Sequence, residues 1–243
     1  MLKHKIIPLD EILKDLLEIG QKEMNNPIEI EFAVDLNTKK EDPVIFNFLQ
    51  IRPIVDNEEQ DNIDLEDVSV NDTLIYSESA LGNGRIDDIY DFVYVKPEGF
   101  SSLKSKQIAA EVSQLNEKFK KEGRNYVLVG PGRWGTSDPS LGIPVKWAHI
   151  SQARVIVESG LDNYRIDPSQ GTHFFQNLTS FRVGYLTINP YIEEGHFDLE
   201  YLAACRAEYE NEQIRHIRFK NPVKIQIDGK QSKAAVLKPN ADS

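Results

Sequence analysis

Cysteine is nearly missing from this 243-residue chain: Cys205 stands alone. A single thiol excludes an internal disulfide and any cysteine-based zinc site, and it fits a reducing, cytoplasmic setting. Positive charge is scarce as well, with 28 Lys and Arg against 39 Asp and Glu and a formal net charge of -11. That imbalance argues against a nucleic-acid backbone or an anionic membrane as the main partner, although a local basic cluster can still hold a nucleotide or another small anion. Long apolar runs are absent too. No stretch approaches the span of a membrane helix, and the opening MLKHKIIPLDEIL lacks the apolar core of a secretory signal. What remains is ordinary for a globular chain, 40% hydrophobic and 28% charged residues, with length for one large domain or two small ones.

Periodicity supplies the elements. Leu9, Ile12, Leu13, Leu16 and Leu17 recur at helical spacing behind Pro8, which predicts an amphipathic helix to about Met24, before Asn25-Asn26-Pro27. IEIEFAVD alternates strictly, with Ile28, Ile30, Phe32 and Val34 on one side and Glu29, Glu31, Ala33 and Asp35 on the other, as a half-buried strand does. VIFNFLQIRPIV follows as a second strand in which Gln50 and Arg52 share a face and Pro53 limits continuation. Residues 59 to 72 are acidic and aperiodic and read as a linker. Beyond it, TLIYSES and IYDFVYV are strands flanking the turn GNGR, and Lys104 to Lys121 forms a helix with Ile108, Val112, Leu115 and Phe119 inward. YVLV, QARVIVES and FRVGYLTI are further strands, and the tail around Asp228-Gly229 is a small terminal hairpin.

Gly130, Gly132 and Gly135 spell the G-x-G-x-x-G of dinucleotide loops. That loop needs a helix after its third glycine, and Pro139, Gly142 and Pro144 forbid a useful one, while Pro131 removes a donor. Two readings stay open: a turn anchored by Trp134, or a wide anion-binding loop in which Arg133, Thr136 and Ser137 join the glycines to hold phosphate or carboxylate.

Three stretches resemble the phosphoenolpyruvate synthase and pyruvate phosphate dikinase family. IEIEF followed by FLQIRP is similar to the end of its ATP-grasp domain, where a Glu on one strand and a Gln and an Arg on the next face the triphosphate and magnesium. By that resemblance Glu31, Gln50 and Arg52 bind the nucleotide and Glu31 holds the metal. The alternative for these side chains is a cross-strand Glu-Arg pair on a solvated face. The order of LGNGR, DFVYV, YVLVGPGRWGTSDP and QARVIVES resembles the family's swivelling phosphohistidine domain, and SQGTHFF falls where its histidine turn lies. The resemblance makes His173 the phosphoryl carrier, with Arg133, Lys146, Arg154 and Arg165 as candidate cations around the moving group. Gly171 stands where the family has a Thr two places before its histidine, and Phe174 and Phe175 replace small residues, so a structural histidine remains the other reading.

The expected fold is therefore α/β: residues 1–58 as the C-terminal part of an ATP-grasp lobe, 59–72 as linker, 73–210 as a swivelling-type β/β/α domain and 211–243 as a β tail. The resemblance implies ATP-dependent phosphoryl transfer through a histidine to a pyruvate-like acceptor. It also implies that the chain acts with the parent protein's remaining domains, and that it is not competent alone. The competing expectation is a binding module on the same fold, without transfer, for a small anion or a partner. Apolar faces left without their usual neighbours would favour self-association.

Overall fold

A computed structural model describes residues 8–25, 27–35, 44–53, 63, 65, 68–161, 165–167 and 183–239. The chain is mixed α and β, mostly sheet with a few helices, and divides into two compact units, Met1–Glu58 and Glu59–Ser243. Among the described residues no helix is long and apolar enough to cross a membrane.

The first unit is a helix on a hairpin. Helix α1 (Leu9–Met24) lies against strand β1 (Ile28–Asp35), which pairs antiparallel with β2 (Ile45–Pro53). Gly20 is the buried point of α1; a Cβ there would meet the tips of Ile28 and Ile51 at 2.4 and 2.7 Å, so the absent side chain lets the helix approach the hairpin. The alternation of β1 works as its sequence implies. Ile30 pairs with Ile51, Phe32 with Phe48 and Val34 with Phe46, and the Phe32 and Phe46 rings stack with centroids 5.2 Å apart. The other face carries Glu29 opposite Arg52 and Glu31 opposite Gln50, with a bulge just beyond Glu31.

The second unit is built on a ten-stranded sheet. Its strands are β3 (Thr73–Ser77), β4 (Ser79–Leu81), β5 (Gly84–Val95), β6 (Tyr126–Pro131), β9 (Ala153–Ser159), β10 (Gly184–Ile188), β11 (His196–Phe197), β12 (Ala207–Glu210), β13 (Ile214–Asp228) and β14 (Lys233–Leu237). They run in the order β11-β3-β14-β13-β5-β6-β9-β10-β4, with β12 also on β13. Only Glu78 separates β3 from β4, so one bent run connects the strand at one end of that order to the strand next to its other end. Ser77 secures the bend by donating its hydroxyl to the Thr187 carbonyl at 2.8 Å. The interior is apolar: Leu74, Ala80, Phe92, Val127, Val129, Val155, Val157, Leu186, Ile217, Ile225 and Val236 form one buried cluster.

Strands β5, β6, β9 and β10 are mutually parallel. Buried on both faces, they read as the continuous apolar runs DFVYV, YVLV and VIV rather than as alternation. Helix α2 (Ser105–Glu122) connects β5 to β6 and buries Ile108, Val112, Leu115 and Phe119, the Phe119 ring stacking on Tyr126 of β6 and meeting His216 of β13 edge-on. Gly123 closes the helix in the left-handed region, φ 63°, and its N–H returns to the Lys120 and Phe119 carbonyls. Buried Asn116 ties this helix to the strands, its Oδ1 accepting from the Tyr126 hydroxyl at 3.2 Å and from Gln152 N at 2.9 Å.

Three features depart from the sequence reading. GNGR does not join two neighbouring strands; β4 intervenes, and β3 pairs with β14 and β11 instead. The expected tail hairpin exists as β13 and β14, yet it lies inside the large sheet, β13 pairing with β5 along most of its length. Ile63 and Leu65, in the acidic stretch expected as a linker, are buried beside Ala235. Short helix α3 (Leu199–Ala204) completes the unit and adds Leu202 to the core, its first turn capped by Asp198, whose carboxylate accepts from Tyr201 N at 2.9 Å.

Candidate functional site

The loop leaving β6 folds over the outer face of the sheet at the carboxyl ends of the parallel strands, where open and curled α/β sheets place ligands. It contains β7 (Arg133–Trp134) paired in parallel with β8 (Gly142–Ile143), and a one-turn 3-10 segment at Pro139–Leu141 between them. The helix that a dinucleotide site requires after Gly135 is not formed, which removes that reading. The glycines serve close approach instead. A Cβ on Gly130 would sit 2.3 Å from the Trp134 ring, and one on Gly142, at φ 155°, would strike the Arg133 backbone at 2.1 Å.

Trp134 is the anchor. Its indole lies over Gly130 and donates Nε1–H to the Val157 carbonyl at 3.1 Å, and its backbone N–H donates to Glu158 Oε1 at 2.9 Å. Glu158 is wholly buried at the end of β9, and its Oε2 accepts from the hydroxyl of Tyr185, itself 2% exposed, at 2.5 Å. Gly132 N–H reaches the Ser159 carbonyl at 3.0 Å and Gly135 N–H the Ile143 carbonyl at 2.9 Å. Arg133 is thus held between clamps on both sides while its side chain is left over. Its Nε is shielded from solvent and has no hydrogen-bond partner among the described residues. A buried donor on a charged group is costly to leave unmade; Arg215 has the same orphaned Nε, but its terminal nitrogens are taken by Glu210, Ala203 and Cys205.

The rest of the expected loop contributes unevenly. The backbone N–H groups of Thr136 and Ser137 take no partner among the described residues, whereas the Thr136 hydroxyl accepts from Asp138 N at 3.1 Å. Asp138 caps the 3-10 turn through Ser140, and those hydrogen bonds hold its carboxyl below the usual range. Of the other candidate cations, Arg165 is consumed by Glu194, at 3.1 Å on two nitrogens, and by Asp167. Lys146 is exposed before the turn at Trp147–His149, and Arg154 is half-buried on β9 with a partner of its own. Segment 165–167 is pinned beside the end of β10 by reciprocal bonds between Asn189 and Ile166, and a pocket of about 280 Å³ opens there between Glu78, Ser79, Thr187 and Glu194. His173 lies outside the described residues.

A second polar centre sits under the far end of α2. Asp91, 1% exposed, receives Arg124 on Oδ2 and both Arg218 and His216 on Oδ1, at 2.7 to 2.8 Å. Burial pushes the Asp91 carboxyl up, and the bonds from His216, Arg218 and Arg124 together overcome it and hold the group below its ordinary value. Arg218 continues to Glu122 at 3.0 Å. This centre joins helix to sheet and has every carboxylate oxygen engaged, which suits structure rather than turnover.

In the first unit the hairpin brings Glu31 and Gln50 together, exposed and opposite each other, with position 52 on the same face. An exposed carboxylate beside an amide fits magnesium, which takes one or two carboxylates and leaves its remaining positions to water and phosphate. Among the described residues no group of three or more His, Cys, Asp or Glu is placed to hold a metal by itself.

Glu158, Tyr185, Asp91 and His216 escape the sequence reading. A signal was present for two of them, since a lone carboxylate inside an apolar run, as in VIVES and IYDFV, must be buried with partners. Comparison with protein-family models, curated proteins and solved structures returns no match for this chain.

Proposed function

We propose that this chain supplies an oxyanion-binding site to an ATP-dependent phosphotransferase resembling the phosphoenolpyruvate synthases. In this reading Arg133 is the cationic anchor of the site, with the N–H groups of Thr136 and Ser137 beside it in sequence. The observation that carries it is the orphaned guanidinium nitrogen of Arg133 in a loop whose amides at Gly132, Trp134 and Gly135 are all tied down. Arginine presents a planar fork suited to phosphate or carboxylate oxygens, and a glycine-rich turn offers backbone donors to the same charge. The first unit would meet nucleotide and magnesium through Glu31, Gln50 and Arg52, and His173 would carry the phosphoryl group to a pyruvate-like acceptor.

A second reading keeps the anion site and drops the transfer, making the chain a regulatory or partner-binding module. It is favoured by the fact that the buried carboxylates among the described residues of the larger unit, Asp91, Glu158 and Asp228, are all engaged in holding the fold, as is Nε2 of His216. Incubation with β-labelled ATP and magnesium, in the presence of the parent protein's other domains, separates the two. Acid-labile, base-stable label that disappears in His173→Ala supports transfer, and unchanged labelling in that variant refutes the carrier role. Calorimetric titration with phosphoenolpyruvate and with inorganic phosphate tests the shared premise: binding should weaken at least about tenfold in Arg133→Ala, and equal binding by the variant refutes the anchor.

A further inference from the structure

Nε of Arg133 has no hydrogen-bond partner among the described residues, and the loop is held in place by the two residues that flank it. Both flanks are tied to the end of one strand. Gly132 N–H donates to the Ser159 carbonyl at 3.0 Å, and Trp134 N–H donates to the Glu158 carboxylate at 2.9 Å. The second bond is unusual in kind, because a side-chain carboxylate takes the place that a strand carbonyl would fill in a regular ladder. A carboxylate can rotate where a carbonyl cannot. Something has to fix its plane.

The Tyr185 hydroxyl does so, bonding Oε2 at 2.5 Å from the neighbouring parallel strand, and Thr187 stands next to it with its Oγ1 3.5 Å away. Thr187 is the register partner of Glu158, and Tyr185 that of Ile156. Both point to the outer face, the same side as Gly130 and the Trp134 ring. Glu158, Tyr185 and Trp134 are each no more than 2% exposed, so no bulk water competes for these bonds. In such surroundings charge-assisted bonds are short, strong and directional.

We propose that Glu158 and Tyr185 are positioning residues for Arg133: they fix the Trp134 amide, and with it the guanidinium, in the orientation that receives the anion. This inference rests on the oxyanion reading of the loop. Neither side chain is available to touch the ligand, since both are buried. Their contribution is to keep Arg133 from sampling orientations in which the anion would have to organise the loop first, and such preorganisation appears in the binding constant.

The test uses the full chain, with phosphoenolpyruvate as probe in isothermal titration calorimetry and inorganic phosphate as a second arm. Tyr185→Phe, which keeps the ring and removes only the hydroxyl, should weaken binding about three- to tenfold. Glu158→Gln, which keeps an acceptor for the Trp134 amide, should lose less affinity than Glu158→Ala. The deciding measurement is a double-mutant cycle, because a merely structural role would weaken binding whether or not Arg133 is present. In the Arg133→Ala background, Tyr185→Phe should have no further effect. Tyr185→Phe binding as tightly as the wild type, or losses that add in full across the cycle, would overturn the positioning role alone. An Arg133→Ala variant that binds like the wild type, or a wild type that binds neither probe, would overturn the oxyanion reading and this inference with it.

Discussion

Nε2 of His216 and Oδ1 of Asp91 lie 2.8 Å apart with both side chains closed off from solvent, although 125 residues separate them in sequence. The contact joins the strand before α2 to the long strand near the end of the chain, with Arg124 and Arg218 completing the cage. Removing the carboxylate leaves these groups uncompensated in a low-dielectric setting. Asp91→Ala should destabilise the larger unit by about 3–5 kcal/mol, measured by urea denaturation at neutral pH.

The same carboxylate should shape the acid limb of stability. Its folded-state value is depressed relative to an unfolded aspartate near about 3.9, so its contribution is complete above that value and is lost as the pH falls through the folded one. Unfolding free energies measured from pH 6 down to pH 2.5 should therefore decline in the wild type. Asp91→Asn should start lower and decline less steeply. Equal slopes for the two proteins would contradict the assignment.

Glu158→Ala removes an acceptor from the Trp134 amide and from the Tyr185 hydroxyl where all three side chains are closed off from bulk solvent. Stability should fall by roughly 3 kcal/mol, with Glu158→Gln costing less. Near-UV circular dichroism should show the accompanying change at the tryptophan that rests on Gly130.

Gly142→Ala should be more damaging than most surface-loop substitutions. The new methyl group would meet backbone atoms of Arg133 rather than the yielding tip of a side chain, at a φ that alanine resists. A loss of about 2–3 kcal/mol is expected in chemical denaturation. On the proposed oxyanion site, affinity for phosphoenolpyruvate should drop in parallel, because β7 carries Arg133.

Asn116→Leu replaces a buried amide whose oxygen serves the Tyr126 hydroxyl and the Gln152 amide. Leucine fills similar space but strands both donors, and the expected cost is about 2 kcal/mol. Hydrogen exchange should rise first at Gln152 and at the start of β6.

Local pattern made much of this fold legible. Strict alternation in IEIEFAVD gives β1 and its polar face, the helical spacing of Ile108, Val112, Leu115 and Phe119 gives α2, and Pro139 with Pro144 rules out a helix after Gly135. Long-range pairing stayed hidden. Nothing near residues 214–228 announces that they border β5, because period-two patterns name a face and not a neighbour. Glu158 and Tyr185 were missed for the same reason: their partnership depends on β9 and β10 lying side by side, and 27 positions separate the two residues in the chain.

Because β14 is wedged between β3 and β13, those two strands have no common seam until residues 233–237 arrive. During synthesis on a ribosome, the parallel strands and α2 can assemble early, but that side of the sheet stays open while about fifty further residues, 189 to 237, are made. That interval is when a holdase chaperone would find its apolar lining, and slowing translation downstream of β10 should lengthen it.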